Sequence, residues 1–243
     1  MKHYAPGSFN MIDKDGKEYL LTVEQDDYAE SPRDMYDNIS TIYCWHKHYA
    51  IGDDKPIGKT AWDVLADMCE EYTDMEADDI DAASENDMIR ELQQAKDVVI
   101  KYISCYEHSG ITISTAITTY PYNDRWDSGV IGFAFIDKET FETHCGADKD
   151  WKCQAMDIID SEVKTLDDYL RGEVFCYTLE EKVHVHNETK CPHCGEVIEI
   201  HDDDDDDDDD WEVIDGCSGF YGDELESNGI LDELPVEQRL FII

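Results

Sequence analysis

The chain has 243 residues, of which 41% are hydrophobic and 11% aromatic. These fractions are typical of folded proteins and exclude a fully disordered or fibrous chain. The 60 acidic and 19 basic residues give a formal net charge of −41 at pH 7. Such a charge repels phosphate, so it disfavours direct binding of DNA, RNA or an anionic membrane and favours basic protein surfaces or cations as partners.

Acidity is a property of the whole chain, because 51 acidic residues remain against 19 basic ones when the nine aspartates at 202–210 are set aside. There is no stretch of 18 apolar residues and no charged-then-apolar N-terminal segment. We therefore expect a cytoplasmic protein, in the host cytoplasm if a phage encodes it. The nine cysteines are scattered, and only Cys191 and Cys194 have metal-ligand spacing, so we expect reduced thiols.

In the first third of the chain, residues with high strand propensity predict strands at 20–23 and 39–45. Apolar residues at helical spacing predict a helix at 62–72, with Thr60 as a candidate N-cap. The acidic stretch that follows, at 74–87, contains few apolar residues.

The remaining elements follow the same two periodicities. In chain order we predict a short helix at 89–96, strands at 98–105, 111–119 and 129–136, a helix beginning at 138–144, the longest helix at 151–169 ended by Gly172, strands at 174–185, 196–200 and 211–214, and a glycine-rich loop at 217–222.

Strands follow one another through turns more often than through helices, which predicts an α+β fold. We expect a mainly antiparallel sheet with two or three helices and a hairpin like a zinc knuckle near the C-terminus. The predicted domains are an α+β core at 1–180, an inserted Cys/His hairpin with the aspartate loop at 181–215, and a segment at 216–243 that returns to the core.

The hairpin is the strongest motif for a metal. Cys191 and Cys194 place two thiolates on a tight turn, which is half of a tetrahedral zinc site. His184 and His186 lie just upstream on one face of a predicted strand and would complete a Cys2His2 set. Other candidate ligands are His201 and Cys217. A hairpin turn with two free thiols is the alternative, because the chain has no second Cys-x-x-Cys pair.

Three acidic blocks are candidates for contact with a basic partner, at 74–87, 202–210 and 224–233. The nine aspartates form either a solvated loop with no binding role or an acidic loop that attracts and binds a basic groove of a partner. They lack the spacing and the glycine turn of an EF-hand calcium loop. The candidate partner-binding residues are Asp78, Asp79, Asp81, Asp202, Asp206, Asp210, Asp223 and Glu224.

A dense polar and aromatic cluster contains four candidate catalytic residues, Asp37, His46, His48 and Asp53, with Cys44 as a candidate nucleophile. A carboxylate beside a histidine base suits a metal-dependent hydrolase or another enzyme. The alternative is a strand edge whose aromatic rings pack and whose polar side chains form hydrogen bonds.

Three segments together resemble an uncharacterised family of phage and prophage proteins. They are Tyr36-Asp37-Asn38 with Cys44-Trp45-His46 and Gly52-Asp53; Trp126-Asp127-Ser128-Gly129-Val130-Ile131-Gly132-Phe133; and Cys217-Ser218-Gly219-Phe220-Tyr221-Gly222. The resemblance spans most of the chain, and no activity is attached to that family. It implies a mobile-element origin, where small acidic proteins that blunt host defence are a common class.

We therefore expect a non-enzymatic protein that mimics nucleic acid and inhibits a host nuclease, restriction enzyme, CRISPR effector or polymerase. A protein of this size exposes roughly 11,000 Å² of surface, or roughly 270 Å² for each net charge. Duplex DNA carries one charge for roughly 110 Å² of its surface. Mimicry therefore requires carboxylates gathered on one face. The alternatives are the enzyme described above and a halophile-adapted protein, in which acidity carries no functional message.

Overall fold

The computed structural model describes residues 2–108, 110–115, 128–183, 188–190, 197–199 and 210–234. The elements are, in chain order, β1 (Gly7–Ile12), β2 (Glu18–Gln25), α1 (Pro32–Met35), β3 (Thr41–Cys44), α2 (Ala61–Tyr72), α3 (Ala77–Ala82), α4 (Glu85–Gln94), β4 (Val98–Glu107), β5 (Ile111–Ser114), β6 (Ser128–Asp137), α5 (Lys138–Cys145), α6 (Trp151–Leu170), β7 (Val174–Val183), β8 (Glu188–Lys190), β9 (Val197–Glu199), β10 (Asp210–Tyr221) and α7 (Ile230–Glu233).

The chain forms two compact units. The terminal unit comprises Met1–Ala29 and Glu173–Ile243, and the central unit comprises Glu30–Gly172. This division differs from the predicted core, hairpin and C-terminal segment, whose boundaries stay a prediction.

The terminal unit contains an antiparallel sheet in the order β1-β2-β7-β10. Because side chains alternate between the faces of a strand, Leu21 and Val23 of β2 share one buried face with Tyr177 and Leu179 of β7. Apolar residues that follow β10 complete this core, namely Leu225, Ile230 and Leu234.

The central unit contains a second antiparallel sheet, in the order β3-β6-β4-β5. Both faces of its strand β4 are buried. Val99 and Ile103 belong to the core that includes α6, whereas Val98 and Ile100 belong to the core that includes α2 and α4. The sheet therefore lies between two layers of helices.

Thr60 caps helix α2, as the sequence predicts, and its side chain accepts from the backbone N–H of Asp63 in a capping box. Helix α4 is capped in the same way by Ser84 and begins at Glu85, four residues before the predicted position. Capping of this kind satisfies N–H groups that have no partner within the helix.

The predicted fold class is confirmed, since the described residues form an α+β structure with antiparallel sheets. They contain seven helices, four of which have eight residues or more. None of the three short ones, α1, α3 and α7, was predicted, because four to six residues are too few to show a helical apolar period.

Two further elements differ from the predictions. Strand β1 was not predicted, and its residues alternate between exposed positions and buried or partly buried ones. The residues at 217–221, predicted as a glycine-rich loop, continue β10, and Gly219 with φ +87° lies at an irregularity in the ladder with β7. Glycine adopts this left-handed conformation without strain, so the strand continues past it.

Candidate functional site

The candidate catalytic residue Asp53 lies in a network of charged groups inside the central unit. Arg33 donates to both carboxylate oxygens of Asp53, each at 2.8 Å, and to Glu162 at 2.8 Å. The Arg33 side chain is only 5% exposed. Although burial lowers the pKa of Arg33, the hydrogen bonds and charges of Asp53 and Glu162 outweigh it and leave that pKa raised.

The same two carboxylates also bind backbone groups around β3. Asp53 accepts from the Ile42 N–H at 2.7 Å, and Glu162 accepts from the Ile39 N–H at 2.8 Å and the Ser40 hydroxyl at 2.5 Å. The network therefore joins α1, β3 and α6. A carboxylate held in this way has a structural role rather than that of a base open to substrate.

The candidate catalytic histidines lie at the end of β3. The His48 N–H donates to Nδ1 of His46 at 3.3 Å, so neutral His46 carries its proton on Nε2. That nitrogen lies 3.5 Å from a carboxylate oxygen of Glu107. In the described part of the chain, no hydrogen bond or ion pair joins either histidine to Asp37, which is exposed, or to Asp53.

Cys44 is fully buried next to these residues. Burial is the main cause that raises the pKa of its thiol to about 12. A thiol with this pKa stays protonated at neutral pH, and the thiolate is the reactive form. This environment disfavours Cys44 as a nucleophile.

The central unit also carries an acidic groove, formed where the end of α2 faces α3, α4 and the start of β4. The groove encloses about 880 Å³. Its carboxylates are those of Glu71, Asp74, Asp79, Asp87, Glu91 and Asp97, all on exposed residues, together with the cation of Lys96.

The groove continues along the start of α5 through a neighbouring hollow of about 480 Å³. The two parts share Glu71, Tyr72 and Asp97. The continuation adds the carboxylates of Asp137, Glu139 and Glu142 and the cation of Lys138. Hereafter the acidic groove means both parts, with nine carboxylates and two lysines.

Tyr72 lies at the junction of the two parts of the groove, and the negative charges around it affect the pKa of its phenol. Burial is the largest cause that raises the pKa of its phenol, and the charges of Asp137, Glu71 and Glu139 raise it further. These carboxylates come from α2, the end of β6 and α5, so the fold brings together charges that are distant in sequence.

The predicted partner-binding residues are distributed over both units. Asp79 lines the acidic groove, while Asp78 and Asp81 are exposed on the same short helix. Asp210 begins β10 and Asp223 is exposed after it, both in the terminal unit. Glu224, also in that unit, forms an ion pair with Lys2. Asp202 and Asp206 lie outside the described residues.

Most of the groove carboxylates were not among the predicted partner-binding residues. Asp97 and Asp137 meet because β4 and β6 pair with Val98 opposite Asp137, and the Lys138 N–H donates to the Asp97 carbonyl at 2.8 Å. The only sequence signal for them is their position at the ends of predicted strands, which does not tell which strands pair.

The candidate zinc ligands Cys191, Cys194, His184 and His186 all lie outside the described residues, so the zinc site stays a prediction. The flanking strands β8 and β9 pair antiparallel, as expected if the chain reverses between them. Across the ranges that the structure describes, no three His, Cys, Asp or Glu side chains are grouped so that they could hold a metal ion.

No helix in the described part of the chain is long and apolar enough to cross a membrane. Comparisons with protein-family models, with curated proteins and with solved structures found no match. The resemblance to phage and prophage proteins therefore stays a prediction.

Proposed function

We propose that the protein is a nucleic-acid mimic that binds the basic nucleic-acid-binding surface of a partner protein through its acidic groove. The observation that carries this proposal is the gathering of nine carboxylates against two lysines in one continuous concave surface. A phage-encoded inhibitor of a host defence or nucleic-acid enzyme fits this chemistry.

The charge density of the groove supports mimicry better than the average over the chain does. Nine carboxylates less the two lysines and less Arg90, which forms an ion pair with Asp87 at 3.1 Å, give the groove face a charge of −6. A partner that covers about 800 Å² of this face would meet one charge per roughly 130 Å², which is nearer to the roughly 110 Å² of duplex DNA than to the average over the chain. This local gathering of charge supports the proposal of mimicry.

Long-range attraction between such a groove and a basic surface speeds association and is screened by salt. The first test is capture of proteins from a host lysate on the immobilised protein at low salt, followed by addition of a duplex oligonucleotide at unchanged ionic strength. Mimicry predicts that the oligonucleotide releases the captured protein, because both occupy one surface. Retention in the presence of excess duplex would contradict the proposal.

A matched pair of variants localises the binding surface. The triple change Asp74→Asn, Asp79→Asn and Glu91→Gln removes three exposed groove charges and spares the helix caps. The control Asp15→Asn, Asp27→Asn and Asp157→Asn removes three exposed charges elsewhere. We expect at least a tenfold loss of affinity for the groove variant, which corresponds to about 1.4 kcal/mol, and a small loss for the control. Equal losses would mean that only net charge matters.

A further inference from the structure

Strand β10 lies at one edge of the terminal unit's sheet. It pairs with β7, and no other strand among the described residues pairs with its opposite edge. Two large apolar side chains on it are open to solvent, since Val213 is 62% and Ile214 42% exposed. A strand edge of this kind presents backbone N–H and C=O groups to which another extended segment can bind.

The negative charge along this strand edge determines which kind of segment can bind to it. Asp210 and Glu212 place two exposed carboxylates along β10, whereas Asp215 accepts from the Tyr177 hydroxyl at 2.8 Å. Two lysines of the terminal unit already have partners, because Lys17 forms an ion pair with Glu181 and Lys182 with Glu18. Like charges repel, so the edge disfavours an acidic strand, including that of a second copy of this chain, and it favours lysine and arginine.

We propose that residues 210–218 of β10 bind an extended basic segment of a partner protein, which adds to the sheet as a further strand. Its lysine or arginine side chains pair with Asp210 and Glu212, and its apolar side chains cover Val213 and Ile214. The irregularities in the ladder between Val213 and Asp215 and between Ser218 and Phe220 limit regular pairing to short stretches. This proposal does not rest on the acidic groove, which belongs to the other unit.

The test uses the full chain and a capped peptide of about eight residues that alternates lysine and valine, the period at which one face of a strand recurs. Amide hydrogen exchange, followed by NMR, is expected to slow by at least about tenfold at alternate residues of 210–218 when the peptide binds. An analogue of the peptide N-methylated at alternate residues keeps the charge but cannot form the ladder, and we expect it to bind at least about tenfold more weakly. Equal binding of both peptides would overturn the proposal.

Charge selectivity is tested with two double variants of equal net charge. Asp210→Asn with Glu212→Gln is expected to weaken peptide binding about fivefold, whereas Asp27→Asn with Asp157→Asn leaves it within about twofold. All four carboxylates are exposed, so neither change threatens the fold. Equal losses of peptide affinity in the two variants would mean that binding depends on net charge alone. That result would contradict binding at the β10 edge.

Two other occupants of the edge give distinct results. If alternate amides of 210–218 are already protected in the free protein, another part of the chain or a second copy occupies the edge, and the proposal is wrong. Sedimentation at increasing concentration tells these two apart. Failure of the acidic groove variants to lose partner capture would leave the peptide result unaffected, so the two proposals fail independently.

Discussion

At the scale of single residues, carboxylates in the central unit have two different roles. Some bind a buried cation of the same chain, and others are exposed to a partner. Those of Asp53 and Glu162 surround Arg33, with hydrogen bonds near 2.8 Å. A buried ion pair of this kind is strongly destabilising when one partner is removed, by about 3–5 kcal/mol, because the other charge is left without compensation. Asp74 and Asp79, in contrast, are exposed and remain available to a partner.

Asp167 has neither of these roles. Its carboxylate is buried, and burial disfavours its charged form. Its carboxylate accepts from the Ile113 N–H at 2.7 Å and lies 3.5 Å from the guanidinium of Arg171. Burial is the largest cause that acts on it and raises its pKa above the ordinary 3.8. The folded protein therefore holds this proton more tightly than the unfolded chain does.

This shift gives a pH dependence with a definite sign. The contribution of Asp167 to stability is complete below its unfolded pKa and is lost as the pH rises through the higher folded pKa. Asp167→Asn keeps an acceptor for the Ile113 N–H and removes the titration. We expect the variant to unfold with at least the wild-type free energy at pH 7, and its advantage over wild type to grow between pH 3.8 and the raised pKa.

Urea unfolding at a series of pH values measures this difference. Asp157→Asn, on the exposed face of the same helix, is the control and should show no comparable trend. A free-energy difference for Asp167→Asn that stays constant with pH would contradict the assignment.

At the scale of elements, β6 is the strand on which the central sheet depends, because it pairs with β3 on one side and β4 on the other. Two of its glycines stand in different surroundings. A Cβ at Gly132 would lie 1.9 Å from the carbonyl oxygen of Tyr43 on β3, whereas a Cβ at Gly129 would have no atom within 4 Å. Gly132 therefore allows the close approach of the two strands.

We expect Gly132→Ala to lower the free energy of unfolding by at least about 2 kcal/mol, because the methyl group must displace backbone of the neighbouring strand. Gly129→Ala in the same strand should leave it unchanged or raise it by about 0.5 kcal/mol, since alanine has less freedom to lose on folding. Chemical denaturation of both variants gives the comparison. Similar effects at the two positions would show that β3 does not approach β6 this closely.

For the whole molecule, a net charge of −41 means that the folded chain repels itself. Added salt shortens the Debye length from about 30 Å at 0.01 M to about 8 Å at 0.15 M. We therefore expect the melting temperature to rise by several degrees over this range, where about 1 kcal/mol corresponds to 2–4 °C for a chain of this size.

Differential scanning calorimetry in sodium chloride and in choline chloride separates screening from specific binding. Screening predicts equal increases in the two salts. An increase confined to one cation would indicate a cation-binding site instead.

Much of the secondary structure follows from local patterns in the sequence. The predicted strand and helix at 98–105 and 151–169 correspond to β4 and α6, and Thr60 caps α2. These features depend on neighbours a few residues apart, on helical and strand periods and on the local competition for backbone N–H groups, so the printed sequence contains their causes. The net charge follows from composition alone.

Only the tertiary structure decided which side chains meet. The candidate catalytic residue Asp53 binds Arg33, and Arg33 also binds Glu162, 129 positions further along the chain, while His46 faces Glu107. The acidic groove joins carboxylates of α2, α4 and α5 with Asp97 and Asp137. Such contacts depend on which strands pair and in what register, and pairing is fixed by the burial of whole faces rather than by any local pattern.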